Sequence, residues 1–156
     1  MASRAKELVR RLSVLGKTVA AAESCTAGLA ADLIARIPGA SRVFWGSFVS
    51  YSPEAKIRML GAEEKTLKQY GTVSRETACA MARGALERSG ADYAFSVTGV
   101  AGPGGDGGIP AGTVWIATAQ KDNEVRAELF EFRGSRNRVR RKAAEKALDE
   151  LLKILP

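Results

Sequence analysis

Two hydrophobic periods alternate along this chain, and their order predicts its elements. Leu8, Val9, Leu12 and Leu15 recur at helical spacing, so Ser3–Leu15 reads as an amphipathic helix closed by Gly16. Thr18–Ala22 is a short apolar run, the pattern of a buried strand. Leu29, Leu33, Ile34 and Ile37 then predict a helix over about Thr26–Arg36, ended by Pro38-Gly39. Val43–Ser50 predicts a second strand, broken by Tyr51-Ser52-Pro53, and Pro53 suits the first turn of a short helix carrying Lys56 and Leu60. A polar helix over Glu63–Tyr70 leads to Gly71, and Ser74 caps a long helix that runs to Ser89 and stops at Gly90. On that helix Ala78, Met81, Ala82, Ala85 and Leu86 mark a face for close packing on a sheet.

Asp92–Val97 predicts a central strand, and the segment from Thr98 to Gly108 is too rich in glycine for regular structure. Thr113–Ala119 and Val125–Phe132 predict a hairpin turning at Lys121-Asp122-Asn123, and a final helix spans Arg136–Leu155 with Val139, Ala143, Leu148, Leu151 and Leu152 inward. Strands alternating with helices, then a hairpin and a covering helix, predict an α/β fold: a three-layer α/β/α sandwich with a mixed β-sheet. The 156 residues suit one domain spanning 1–156. Ligands in such sheets bind where the carboxyl ends of strands meet loops. Three candidate loops follow predicted strands: Glu23–Thr26, Tyr51–Lys56 and Thr98–Gly108.

Composition changes this picture mainly by exclusion. The chain has no histidine, so Ser-His-Asp and Cys-His arrangements and histidine-ligated metals are ruled out. Cys25 and Cys79 are too few for a disulfide framework or a four-thiolate zinc site and read as reduced thiols. No apolar run approaches a membrane span and the start lacks a signal peptide's apolar region, so a cytoplasmic protein without a membrane partner is expected. The net charge of +7 would permit nucleic-acid binding. Much of the excess, however, sits in one cluster, Arg133 to Lys142, with no accompanying nucleic-acid motif, so that partner is not expected.

The remaining chemistry concentrates in the three loops. Glu23-Ser24-Cys25-Thr26 follows an apolar strand and precedes a helix, so Ser24 is either a helix N-cap or an exposed nucleophile. Without histidine, a general base must be Lys, Asp, Glu or Tyr, and a desolvated lysine can serve. Lys56, with Tyr51 beside it, is therefore either that base or a residue on a solvated helix face. The Thr98–Gly108 loop matches neither the P-loop nor the dinucleotide fingerprint. Its glycines could let backbone amides cradle a phosphate, or it could be a plain surface loop.

Five stretches appear in order: Glu23-Ser24-Cys25-Thr26-Ala27-Gly28; Tyr51-Ser52 followed by Ala55-Lys56; Gly71-Thr72-Val73-Ser74; Thr98-Gly99-Val100-Ala101-Gly102-Pro103; and Gly112-Thr113-Val114. Together they resemble the CinA C-terminal domain family, whose characterised members are nicotinamide mononucleotide deamidases, and the resemblance spans nearly the whole chain. It implies an amidohydrolase of pyridine nucleotide salvage, converting nicotinamide mononucleotide to nicotinate mononucleotide and ammonia, with no metal and no cofactor. Carried over, Ser24 is the nucleophile, activated by Lys56 with Tyr51. Cys25, Thr26, Thr98, Gly99, Ala101 and Gly102 form the substrate pocket, and Arg136 and Arg140 bind the anionic part. The expected oxyanion donors are the Cys25 and Thr26 amides, at the start of the helix that Ser24 would open. The resemblance also implies a homo-oligomer, and the apolar strands Val43–Val49 and Val125–Phe132 would gain from cover.

One departure stands out: the family places a lysine before the proline near Gly112, and here Ile109 precedes Pro110. Together with the charge, it keeps open a catalytically weak or inactive nucleotide-binding module. A different amidase or esterase using the same Ser-Lys pair is a third reading. Many relatives carry this domain behind a larger one, whereas Met1 followed directly by a helix is the pattern expected of a stand-alone chain.

Overall fold

The computed structural model describes residues 3–156, so the expectation drawn from Met1 lies outside the described residues. Ser3 caps helix α1 (Arg4–Leu15) by accepting from the Lys6 amide, and Gly16 ends it in a left-handed conformation. Strand β1 (Val19–Glu23) is buried along its whole length and leads into helix α2 (Leu29–Ala35). Strand β2 (Phe44–Val49) precedes helix α3 (Pro53–Leu60), which has Ser52 as N-cap and proline at its first position. Helices α4 (Glu64–Tyr70) and α5 (Arg75–Ser89) follow, then strands β3 (Tyr93–Gly99), β4 (Thr113–Gln120) and β5 (Arg126–Glu131), and finally helix α6 (Arg136–Ile154).

The five strands form one mixed sheet in the order β2-β1-β3-β4-β5. β1 runs parallel to both β2 and β3, and β4 pairs antiparallel with β3 and with β5. The carboxyl ends of β1, β2 and β3 therefore lie along one edge. Because β5 runs in the same direction as β3, the segment from Phe132 to Arg136 emerges at that edge too. Sheet topology alone brings four separated stretches of sequence together.

The two faces of the sheet are packed with side chains of different size. Tyr93, Phe95, Val97, Val114 and Ile116 meet Leu8, Leu12, Ile34, Leu148 and Leu151 of α1, α2 and α6. Opposite, Ala22, Ala94, Ala117, Ala119 and Ala127 meet Ala78, Met81, Ala82 and Ala85 of α5. The small residues on both sides let α5 lie close enough for the Ser96 hydroxyl to donate to the Ala78 carbonyl at 2.6 Å. The sequence expectation of a three-layer α/β/α sandwich holds, with α3 and α4 packed outside α5.

Several boundaries differ from the sequence reading, and three bear on the site. α2 begins at Leu29 rather than Thr26, because Ala27 (φ +47°) and Gly28 (φ +99°) are left-handed and interrupt the helix. β1 extends one residue further, through Glu23. β3 runs to Gly99, so Thr98 and Gly99 belong to the strand rather than the loop, and Gly99 pairs with Val114.

The close packing of α3 on α5 makes a direct test. A Cβ built on Gly84 of α5 would lie 2.1 Å from the Leu60 carbonyl oxygen at the end of α3. Backbone cannot move aside as a side-chain tip can, so Gly84→Ala should destabilise the protein by about 1–3 kcal/mol, read as a lowered urea midpoint.

Candidate active site

The site starts from the turn after β1. The Ser24 amide donates to the Val97 carbonyl at 2.9 Å, and the Ser50 amide donates to the Glu23 carbonyl at 2.9 Å, so the ends of β1, β2 and β3 are fastened to one another. Ser24 caps no helix. The Glu23 carboxylate performs that task, accepting from the amides of Gly28 (3.0 Å), Ala30 (3.1 Å) and Ala31 (3.0 Å) and from the Ser47 hydroxyl (3.0 Å). Of the two readings open for Ser24, the N-cap is therefore the one the structure removes.

Facing Ser24 is Lys56, on the first turn of α3 and only 1% exposed. Its Nζ lies 2.9 Å from Ser24 Oγ, 2.8 Å from the Ser50 carbonyl oxygen and 3.2 Å from that of Tyr51. Burial pushes its pKa down from 10.5 to about 8, against a smaller opposing influence from Cys25. In the neutral amine the two N–H bonds satisfy the two carbonyls, which leaves the lone pair for the serine proton. Cys25, next to the serine, is itself buried, and burial pushes its thiol up to about 11. It is protonated at neutral pH and does not compete as a nucleophile.

Ser24 and Lys56 open onto a cavity of about 410 Å³. Cys25, Tyr51, Thr98, Gly99, Ala101, Gly102 and Arg136 line it, so most of the sequence-predicted residues converge there. Two do not. Thr26 lies behind the cavity wall, fully buried, with its hydroxyl unpartnered. Arg140 donates from Nε to the Cys25 carbonyl (2.9 Å), from Nη2 to that of Thr26 (3.1 Å) and from Nη1 to Asn137 Oδ1 (3.0 Å). Its guanidinium braces the Ser24 turn from α6 and does not line the cavity, so it is not placed to bind an anion there. The expectation that the start of α2 supplies oxyanion amides also needs correction, since residues 24–27 form a turn ahead of that helix. The Cys25 and Thr26 amides nevertheless pair with no protein acceptor among the described residues, because the turn uses neither.

Tyr51 differs from expectation as well. Its hydroxyl accepts from Arg136 Nη2 at 3.0 Å, and only its main-chain carbonyl meets Lys56, so no phenol-to-serine relay is formed. Arg136 also donates to the Gly102 carbonyl, spanning the cavity from α6 to the Gly-rich loop. Thr98 donates to the Thr72 carbonyl at 2.7 Å, which fixes the Gly71–Ser74 stretch as a further wall; Thr72 and Val73 line the cavity. The sequence contained that stretch as a motif but gave it no contact. Among the described residues no group of three or more Cys, Asp or Glu side chains is arranged to hold a metal.

Comparison with known proteins agrees with this fold. The family described as "CinA C-terminal domain" matches residues 1–155. The chain belongs to the CinA C-terminal domain family. Among relatives of this family, the nicotinamide-nucleotide amidohydrolase PncC of Escherichia coli strain K12 is 46% identical over 149 residues, covering 94% of this chain and 89% of that protein. The CinA-like protein of Akkermansia muciniphila is 47% identical over 152 residues; these are 97% of this chain and 37% of that longer relative, so the chain spans little more than a third of it. A crystal structure of the CinA superfamily protein of E. coli superposes with a TM-score of 0.93 at 34% identity, over 97% of this chain and 88% of that one. The competence/damage inducible protein CihA of Agrobacterium tumefaciens gives 0.90 at 40% identity, over 98% and 96%.

Burial of Lys56 predicts an unusual stability profile. Its folded pKa lies below its ordinary value, so the unfolded chain binds the extra proton between pH 8 and 10.5. The penalty for holding the cation is complete below about pH 8 and is relieved as pH rises toward 10.5. In Lys56→Met that penalty is gone, so this variant should unfold at a higher urea midpoint than the wild type at pH 7, by up to roughly 3 kcal/mol. The gap should close between pH 8 and 10.5 when the two midpoints are followed against pH.

Proposed function

We propose that this protein hydrolyses the carboxamide of nicotinamide mononucleotide, giving nicotinate mononucleotide and ammonia, through an acyl-enzyme on Ser24. The observation that carries this reading is the 2.9 Å contact between Ser24 Oγ and the amine of buried Lys56 at the cavity wall. The PncC relative, named for nicotinamide-nucleotide hydrolysis, supports the choice of substrate.

In the first half-reaction Lys56 Nζ takes the Ser24 proton as Oγ adds to the carboxamide carbon. The resulting oxyanion is met by the free Cys25 amide, at the cavity wall. The lysine then gives its proton to the departing nitrogen, the C–N bond breaks and ammonia leaves. In the second half, water gives a proton to the same lysine and adds to the ester, and Ser24 departs with that proton. The ordinary lysine is protonated at neutral pH; the fall to about pH 8 brings a usable fraction of free amine within physiological range.

The 5′-phosphate is assigned to Arg136 and the free amides of the Gly-rich loop, with Tyr51 holding the guanidinium. Arg136 supplies the cation that Ile109 lacks. Holding the phosphate fixes the carboxamide over Ser24, so a substrate without the phosphate should show a lower kcat as well as a higher KM. Self-association completes this reading: β2 and β5 are the two sheet edges and expose Trp45, Val49 and Leu129. Among the described residues no helix is long and apolar enough to cross a membrane.

A second reading, a nucleotide-binding module with little catalysis, draws on Arg133–Lys142, where six basic residues stand without an acidic one. An ammonia-release assay on nicotinamide mononucleotide decides between the two. Ser24→Ala and Lys56→Ala should each lose about a thousandfold or more in kcat while keeping the wild-type circular dichroism spectrum. Full activity in Ser24→Ala ends the nucleophile assignment. Salt-dependent DNA binding without deamidation favours the module.

The pH profile is a separate check. The base must be unprotonated, so kcat/KM should rise with pH and level off above about pH 8.

A further inference from the structure

Glu23 is a fully buried carboxylate beside the nucleophile that the reaction scheme does not use. Its two oxygens accept four hydrogen bonds: one takes the Gly28 and Ala30 amides, the other the Ala31 amide and the Ser47 hydroxyl. Those three amides are donors without an intrahelical partner at the start of α2, where a serine or threonine just ahead of the helix ordinarily caps. Here Ser24 and Thr26 stand in that place, and neither does so. A carboxylate outcompetes a hydroxyl for backbone donors because the charge-assisted bond is roughly twice as strong.

We infer that Glu23 is the positioning residue of the site: by capping α2 from the end of β1, it frees Ser24 to face Lys56. The inference rests on the proposed role of Ser24. The geometry follows from where the carboxylate is anchored. Glu23 is the last residue of β1, so its backbone is fixed in the sheet, between Val49 of β2 and Val97 of β3. Its side chain reaches forward past the turn to residues 28–31 and sideways to Ser47 on β2. The intervening residues, Ser24 to Ala27, are thereby looped out between two fixed points. This holds Ala27 in its left-handed conformation and leaves the Cys25 and Thr26 amides free. Arg140 grips the Cys25 and Thr26 carbonyls of the same turn from α6.

Glu23→Gln is close to isosteric, but it removes the charge and turns one acceptor oxygen into a donor. The glutamine amide nitrogen would face either the Ala31 N–H or those of Gly28 and Ala30, and two donors cannot bond each other. Ser47 can turn its hydroxyl to accept; a backbone amide cannot.

The test measures Ser24 reactivity without relying on any substrate. A fluorophosphonate, which phosphonylates activated serines as the P–F bond breaks and fluoride leaves, is incubated with wild type, Glu23→Gln, Ser47→Ala and Ser24→Ala, and labelling is followed by intact-protein mass spectrometry. Wild type should label once, Ser24→Ala not at all, and Glu23→Gln at least tenfold more slowly at a temperature well below its unfolding midpoint. In deamidation, Glu23→Gln should lower kcat by a similar factor with KM within about twofold, since the cavity walls that hold the nucleotide are not anchored by Glu23. A folded Glu23→Gln that labels at the wild-type rate overturns the inference. Should Glu23→Gln not fold, Ser47→Ala decides, with labelling slowed about threefold expected and a wild-type rate overturning it. Labelling of wild type without deamidation would sink the proposed substrate and leave the positioning role standing. Absence of labelling in wild type would sink both.

Discussion

A lysine held almost entirely out of water, within hydrogen-bonding distance of a serine hydroxyl, is the constraint on which the rest of this structure turns. An isolated buried ammonium is costly, and here the protein meets the cost with two main-chain carbonyls and a depressed pKa rather than with a carboxylate partner. A carboxylate would have stabilised the cation and left the amine useless as a base. The two carbonyls satisfy both N–H donors of the neutral amine, the ammonium's third reaches Ser24 Oγ, and the neutral form stays accessible. The two carbonyls belong to Ser50 and Tyr51, immediately after β2, so β2 must end in register with β1 for Lys56 to reach Ser24. The Ser50 amide bonded to the Glu23 carbonyl is that registration.

The serine side of the pair is set by a competition between caps. A polar residue before a helix is drawn into capping, and a capping Ser24 would point its hydroxyl at backbone amides instead of at Lys56. Glu23 takes the amides, and Arg140 takes the carbonyls of the same turn. The cationic guanidinium that the sequence suggested as an anion binder is thus consumed by backbone, while Arg136, one helical turn earlier and at the cavity rim, remains turned toward the opening.

Much of the fold was legible because its elements announce themselves locally. Ser3, Ser52 and Ser74 cap the helices they precede, and Gly16, Gly61 and Gly90 end them in left-handed conformations, as short-range chemistry dictates. The alanine-rich face of α5 signalled a close approach to the sheet, and the strands supply the matching small residues. What misled was equally specific. Thr26 lies within a helical hydrophobic period, yet Ala27 and Gly28 break the helix, because satisfying the buried Glu23 outweighs helix propensity at two residues. Arg136 and Arg140 are indistinguishable by type and spacing; only the carbonyls packed beneath Arg140 separate them.

The sequence by itself determined the alternation of strands and helices and the absence of histidine chemistry, which left Lys, Asp, Glu or Tyr as the candidate bases. It also held the ordered motifs that tie the chain to its family. Tertiary structure alone decided that Ser24 does not cap, that Lys56 is buried rather than solvated, and that Tyr51 serves through its carbonyl and through Arg136. The reason is distance along the chain. Caps and periodicities are fixed by neighbours a few residues apart, whereas Lys56 meets Ser24 across 32 residues and Arg140 meets Cys25 across 115, contacts that only the strand order of the sheet can bring about.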